Sequence, residues 1–189
     1  MMKKWIKNNK VLFILLLLSI LVFILGFYFH AIQDEETKNL IKNNVVKELT
    51  NPNSITSILL TNSLLLITIW ILGISIIGII VVVFLYSWKL FIFSFELCSY
   101  LVTLKINNLL GLIILFIPLI VYLFLIFLQT FYSLHYSISL FEYLILKKKK
   151  NILIITKRYI KLLLPIISIN ILTSLLQYYL FFKHFLIKI

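Results

Sequence analysis

From Leu64 to Tyr86 the chain runs for 23 residues without a charge, and only Thr68, Gly73, Ser75 and Gly78 in that run are small or polar. At about 1.5 Å rise per residue this makes ~35 Å of helix, enough to cross a ~30 Å hydrocarbon core with some tilt. A helix on the surface of a soluble protein shows one strongly polar face. The wider run from Asn62 to Trp88, NSLLLITIWILGISIIGIIVVVFLYSW, shows none. A chain containing it is constrained to a lipid solvent, and the remaining sequence agrees: 62% of the 189 residues are hydrophobic. Charged residues make up only 13%, about half the soluble-domain norm of ~25%.

The expected fold is therefore all-α, a polytopic transmembrane helix bundle of about five spans forming one membrane domain over residues 1–189. The spans are expected at about 11–30, 60–87, 90–104, 109–130 and 162–182. A short extracytoplasmic amphipathic segment covers 31–56, and an inner basic loop covers 147–161. The first apolar run, Val11 to Phe29, is longer than the usual signal-peptide core and lacks a small-x-small cleavage site, so it reads as an uncleaved span. In the segment that follows, Ile41, Val45 and Leu49 fall at helical spacing. Asp34 is placed to cap that helix, with Glu35 and Glu36 in its first turn. Asn53 or Ser54 can cap the next one. The segment is either a ledge for a partner or a connector on the lipid surface.

The formal charge of +12 would suit nucleic acid, but the basic residues sit between apolar runs, so membrane topology accounts for them and no nucleic-acid partner is expected. With the N-terminus cytoplasmic, the inner segments hold twelve Lys and Arg residues, counting Lys89, against six outside. This expectation makes the chain a multi-pass protein of the cell membrane whose first partner is membrane lipid. Cys98 is the single cysteine, so no intrachain disulfide forms.

The candidate packing or partner-contact residues are the polar and small ones within spans. Thr68 and Ser75 share a helical face, with Gly78 beside it, and Asn62 and Gly73 share another, which places this span inside the bundle. Leucine at Gly73 or Gly78 is expected to disrupt the bundle and alanine to be tolerated. Glu96 lies near the middle of a short span, either paired with Lys89, protonated, or near water in a re-entrant helix. Asn170, Ser174 and Gln177 form a stripe facing the bundle. Gln129, Thr130, Ser133 and Ser137 form another, read as a helix leaving the bilayer to lie at its interface. Pro118 is expected to kink its span.

Catalytic chemistry is not signalled. There is no P-loop, HExxH, CxxC or nucleophile elbow. The acids, Asp34, Glu35, Glu36, Glu48, Glu96 and Glu142, suggest no dyad outside the loop, and His30, His135 and His184 are scattered. No enzyme activity, cofactor or metal site is expected.

The decapeptide from Ile69 to Gly78, IWILGISIIG, with the polar lead-in at Asn62 and Lys89 after it, resembles the second-span segment of the stage II sporulation protein M family. The layout is similar too: a basic N-terminus, a span, an outer segment, the WILG span, further spans, a basic loop and a last span. The terminal SINILTSLLQYYL is similar in character to the family's end. Two family features are missing: Phe91 to Leu101 contains no glycine, and Pro118 stands without the Pro-Gln-Asn element. The resemblance implies a non-enzymatic membrane scaffold of a septal peptidoglycan-degrading complex, acting in sporulation and engulfment with peptidoglycan hydrolase proteins as partners. The rival class is a membrane subunit of a transporter, a permease-like protein with Glu96 and the Asn170 stripe along a polar path.

Overall fold

The computed structural model describes residues 10–50, 54–103, 109–147 and 151–186. Six helices account for nearly all of them: α1 Lys10–Ala31, α2 Glu35–Thr50, α3 Ile55–Gly73, α4 Gly78–Thr103, α5 Leu109–Leu144 and α6 Ile152–Leu186. Among the described residues there is no strand. Five helices are long and apolar enough to cross a membrane, over Lys10–Ala31, Ile55–Gly73, Gly78–Leu101, Phe116–Leu144 and Ile152–Tyr179. The chain is an all-α, multi-pass membrane bundle.

Local chemistry sets several helix ends. Asp34 caps α2, its Oδ1 accepting from the Thr37 amide at 3.3 Å, while Glu35 and Glu36 occupy the first turn. Lys38 of that helix donates from Nζ to the Ala31 carbonyl at 3.0 Å, satisfying the end of α1. Ser54 caps α3 by accepting from the Ser57 amide at 3.3 Å, and Asn151 Oδ1 accepts from the Ile154 amide at 3.4 Å at the start of α6. Of the three apolar positions expected to give α2 its face, Ile41 is half-buried; the side chains of Val45 and Leu49 lie outside the described residues.

The spans differ from the sequence reading in three places. The expected single span over 60–87 is interrupted: α3 ends at Gly73 and α4 begins at Gly78. Across the break the Ser75 hydroxyl takes the Gly78 amide at 2.8 Å. A Cβ on Gly78 would collide with the Leu72 carbonyl oxygen and stand 2.6 Å from its carbon, so the turn closes only over glycine. Because α4 starts there, it absorbs the expected 90–104 span, and Lys89 falls inside it. Further on, α5 does not leave the bundle at residue 130; it is one helix of 36 residues that continues through Pro118. Finally, residues 152–161, assigned to a basic loop, are the first turns of α6.

At the centre α3 touches α4, α5 and α6. Leu66 and Ile69 from α3, Val82 from α4 and Leu125 and Ile126 from α5 form the driest part of the core. On the flank α1 packs mainly on α4. Gly26 permits that approach: a Cβ there would fall on the Ser94 hydroxyl and within 2.8 Å of the Phe91 carbonyl. Ser19 and Tyr86 share a hydrogen bond of 2.5 Å, and His30 sits edge-on to Phe95 at 5.2 Å. α2 lies against α4 and α6.

Candidate functional site

Lipid offers no hydrogen bonds, so a polar side chain within a span must satisfy itself on its own helix or across to a neighbour. The chain uses both routes. Thr68 and Ser168 face outward and donate back to the carbonyls four residues earlier, Leu64 at 2.7 Å and Leu164 at 2.9 Å. Buried Ser139 and Thr173 also bond to their own helix, but Asn62, Ser133, Ser137, Tyr159 and Asn170 reach across and form a seam with two tiers.

The lower tier lies where α3 ends. Ser137 of α5 is fully buried, with its hydroxyl 2.6 Å from the Gly73 carbonyl and 3.1 Å from that of Ser75. One turn away the Ser133 hydroxyl lies 3.1 Å from the Ile69 carbonyl and 2.8 Å from Tyr159 Oη of α6. Tyr159 in turn donates to the Trp70 carbonyl at 2.7 Å. Its ring is stacked between Trp70, centroids 5.8 Å apart, and Tyr136 at 4.4 Å, offset geometries that aromatic pairs favour. Gly73 is what lets these groups meet, since an added Cβ would strike Tyr159 Oη and come within 2.7 Å of Ser133 Cβ.

The upper tier lies farther along α3. Asn62 donates to Ser174 Oγ at 3.3 Å, and Asn170 donates to Ser63 Oγ at 2.9 Å. Tyr122 of α5 donates to the Asn62 carbonyl at 3.3 Å. Above the Tyr122 ring lies the Lys89 ammonium, 6.0 Å from its centroid, within the range of a cation–π contact. Three buried polar atoms have no partner among the described residues: Trp70 Nε1, Thr130 Oγ1 and Asn170 Oδ1.

The structure thus joins Asn62, Gly73, Asn170 and Ser174 in one seam. It leaves others out. Thr68 is exposed and self-satisfied, and Ser75 is exposed in the interhelix turn, so the face they were expected to share does not exist. Gly78 serves that turn. Gln177 is half-buried, and Glu96 is exposed on α4 with an interaction partner of its own. The largest correction is the stripe of Gln129, Thr130, Ser133 and Ser137. It was expected at a water interface, yet each of the four is at most 1% exposed. A polar stripe on a long apolar helix looks the same in sequence whether it faces water or the polar groups of neighbouring helices. The absence of any charge in α5 before Glu142 was the available sign that it faces protein.

The seam is made of hydroxyls, amides and phenols; its members include no carboxylate, imidazole or thiol. Among the described residues no three His, Cys, Asp or Glu side chains gather to hold a metal. Most of its bonds run from a side chain on one helix to a backbone carbonyl or hydroxyl on another, an arrangement suited to fixing helices against each other. No protein-family model, curated protein or solved structure matches the chain.

Proposed function

We propose that this chain is a non-enzymatic membrane scaffold of the kind its decapeptide resembles, holding peptidoglycan-degrading partners at a septal membrane during sporulation and engulfment. The observation that carries the reading is the position of IWILGISIIG. Its Trp70 and Gly73 lie where α3, α5 and α6 meet, and Ser75 and Gly78 form the turn into α4. The motif's small residues thus have structural work that a rigid platform requires. With its polar interior engaged in helix contacts, the bundle leaves α2 and the adjoining helix ends as contact surface.

Orientation follows from charge. Taking Lys89 out of the inner set leaves eleven basic residues on the side of the N-terminus and six on the other, so the Lys10 end is cytoplasmic and α2 is outside. Wall hydrolases work on that outer side. The test is recovery of the full chain in mild detergent from sporulating cells. Co-recovery of a wall hydrolase, with septal wall persisting when the chain is deleted and no cleavage of peptidoglycan by the purified protein, is the expected result. Recovery of an ATPase with no hydrolase would favour a transporter subunit instead. The charged Lys89 at mid-span and the unpartnered Asn170 Oδ1 and Thr130 Oγ1 are the observations that favour that second reading.

A further inference from the structure

Hydrogen bonds between helices fix their relative heights. Ser137 lies level with Gly73, and Tyr159 with Trp70. Ser19 lies level with Tyr86, which sets Lys10 near the height of Gly78, the start of α4. One end of the bundle therefore has a common level, occupied by Lys10, the 74–77 turn, Lys157, Arg158 and Lys161. The exposed cations Lys157, Arg158 and Lys161 would each cost several kcal/mol at membrane depth. That level is the membrane boundary.

Two helices do not stop there. α5 runs on from Ser137 to Leu144, and α6 begins at Ile152, seven residues before Tyr159. The α5 arm therefore projects about 10 Å beyond the Gly73 level, and the α6 arm, whose Tyr159 pairs three residues short of it, about 6 Å. The arms are tied together by the 2.8 Å bond between Tyr136 Oη and Thr156 Oγ1. Beyond that tie the hairpin presents Leu144, Ile145, Leu146, Leu153 and Ile154, all about half exposed or more, with Leu153 at 79%. Large apolar side chains clustered outside the bilayer mark an interaction surface. The charge around them is one-sided: Lys147 at the tip and Lys157, Arg158 and Lys161 at the root are exposed, against one acid, Glu142, which already has a partner.

We infer that the α5–α6 hairpin is a docking element that inserts its apolar tip into a groove of a second protein whose rim is acidic. A second copy of this chain would bring the same cations against these, so self-association through the tip is disfavoured. The surface lies at the opposite end of the bundle from α2 and does not depend on the wall-complex reading.

Accessibility comes first. On a Cys98→Ser background, Leu153→Cys should react with a membrane-impermeant maleimide applied from the Lys10 side, and Leu164→Cys, exposed three turns further into α6, should not. Protection of both would put the hairpin in the bilayer and overturn the inference. Next, a photo-crosslinking amino acid is placed at Leu146 or Leu153 of the full chain in native membranes, with Ile24 as a lipid-facing control. Both tip positions should give the same protein adduct, Ile24 none, and the crosslinked peptide should be rich in Asp and Glu. The adduct should fall at least fivefold in Lys157→Glu/Arg158→Glu, and also in 1 M salt, which needs no variant to fold. Adducts only to lipid or to the chain itself, a partner peptide without acids, or an adduct indifferent to salt would each overturn it.

Discussion

The Ser137 hydroxyl stands 2.6 Å from the Gly73 carbonyl, tying the last turn of α3 to α5 two turns before its C-terminal end, at the point where the backbone leaves helical geometry. The end of a helix leaves carbonyls unsatisfied, and here a serine from another helix takes one. Gly73 is needed because no side chain fits between that carbonyl's neighbours, Ser133 and Tyr159.

Alanine at either glycine is therefore predicted to be harmful, contrary to the tolerance expected from helix spacing alone. Gly73→Ala places its methyl 2.7 Å from Ser133 Cβ, and overpacking of this kind costs ~1–3 kcal/mol. Gly78→Ala meets backbone, the Leu72 carbonyl, which cannot rotate away, and should cost at least as much. Thermal unfolding in detergent, read by loss of monodisperse protein, measures both; unchanged melting of the two variants would refute the packing described.

The lower tier should show coupling. Ser133→Ala and Tyr159→Phe each remove one side of the 2.8 Å contact, and the phenylalanine keeps the ring stack. Hydrogen bonds between membrane helices average about 0.6 kcal/mol in double-mutant cycles, with a maximum near 1.7. A coupling energy in that range is expected between these two positions, and none between Ser133 and Ser168, which faces outward.

Lys89→Met discriminates between the two functional readings. It keeps an unbranched side chain, one atom shorter, over Tyr122 and removes a charge from mid-span, where cations are costly. In a scaffold the variant should accumulate and melt at or above the wild-type level and keep its partners. Loss of function with normal accumulation would make the cation a working part of a transport path.

The cap of α2 should respond to acid. The hydrogen bond from Thr37 holds the Asp34 carboxyl below its ordinary range. A carboxylate depressed in the folded state contributes stability above its unfolded value of about 3.9, and that contribution is lost as pH falls through the lower folded value. Amide exchange in the first turn of α2 should therefore accelerate below about pH 4 relative to the intrinsic rate, and Asp34→Asn should abolish that step.

Lys147 is the described non-glycine residue with positive φ, at 49°. A left-handed backbone costs an L-residue roughly 1–2 kcal/mol that glycine avoids. Lys147→Gly should raise the melting temperature slightly, relief of the left-handed strain exceeding the added freedom of the unfolded glycine; a lower melting temperature would refute that balance.

How much of this was legible depends on what each residue reports. Uncharged runs report lipid reliably, so α1 and the existence of five spans could be read directly. The break after Gly73 could not: GISIIG has neither proline nor charge, and its turn depends on Ser75 Oγ meeting the Gly78 amide, a contact that helical spacing does not reveal. Without that break, spacing puts Lys89 between two spans, whereas it lies inside α4. Asn62 and Asn170 were legible because amides inside apolar runs have few alternatives to another helix. Ser133 and Ser137 read in sequence as part of a stripe facing water, because the partners that satisfy them, Tyr159 and Gly73, lie far away in sequence.

The turn between α3 and α4 spans only residues 74–77 and carries no charge. A connection this short gives the insertion machinery nothing to hold on either side of the bilayer, and no lysine with which to decide an orientation locally. The two helices must therefore be placed together as one hairpin, with their turn kept on the Lys10 side. Their direction is inherited from the basic residues that precede α1 and follow α5. A single basic residue added at Ile76 would give that turn an address of its own.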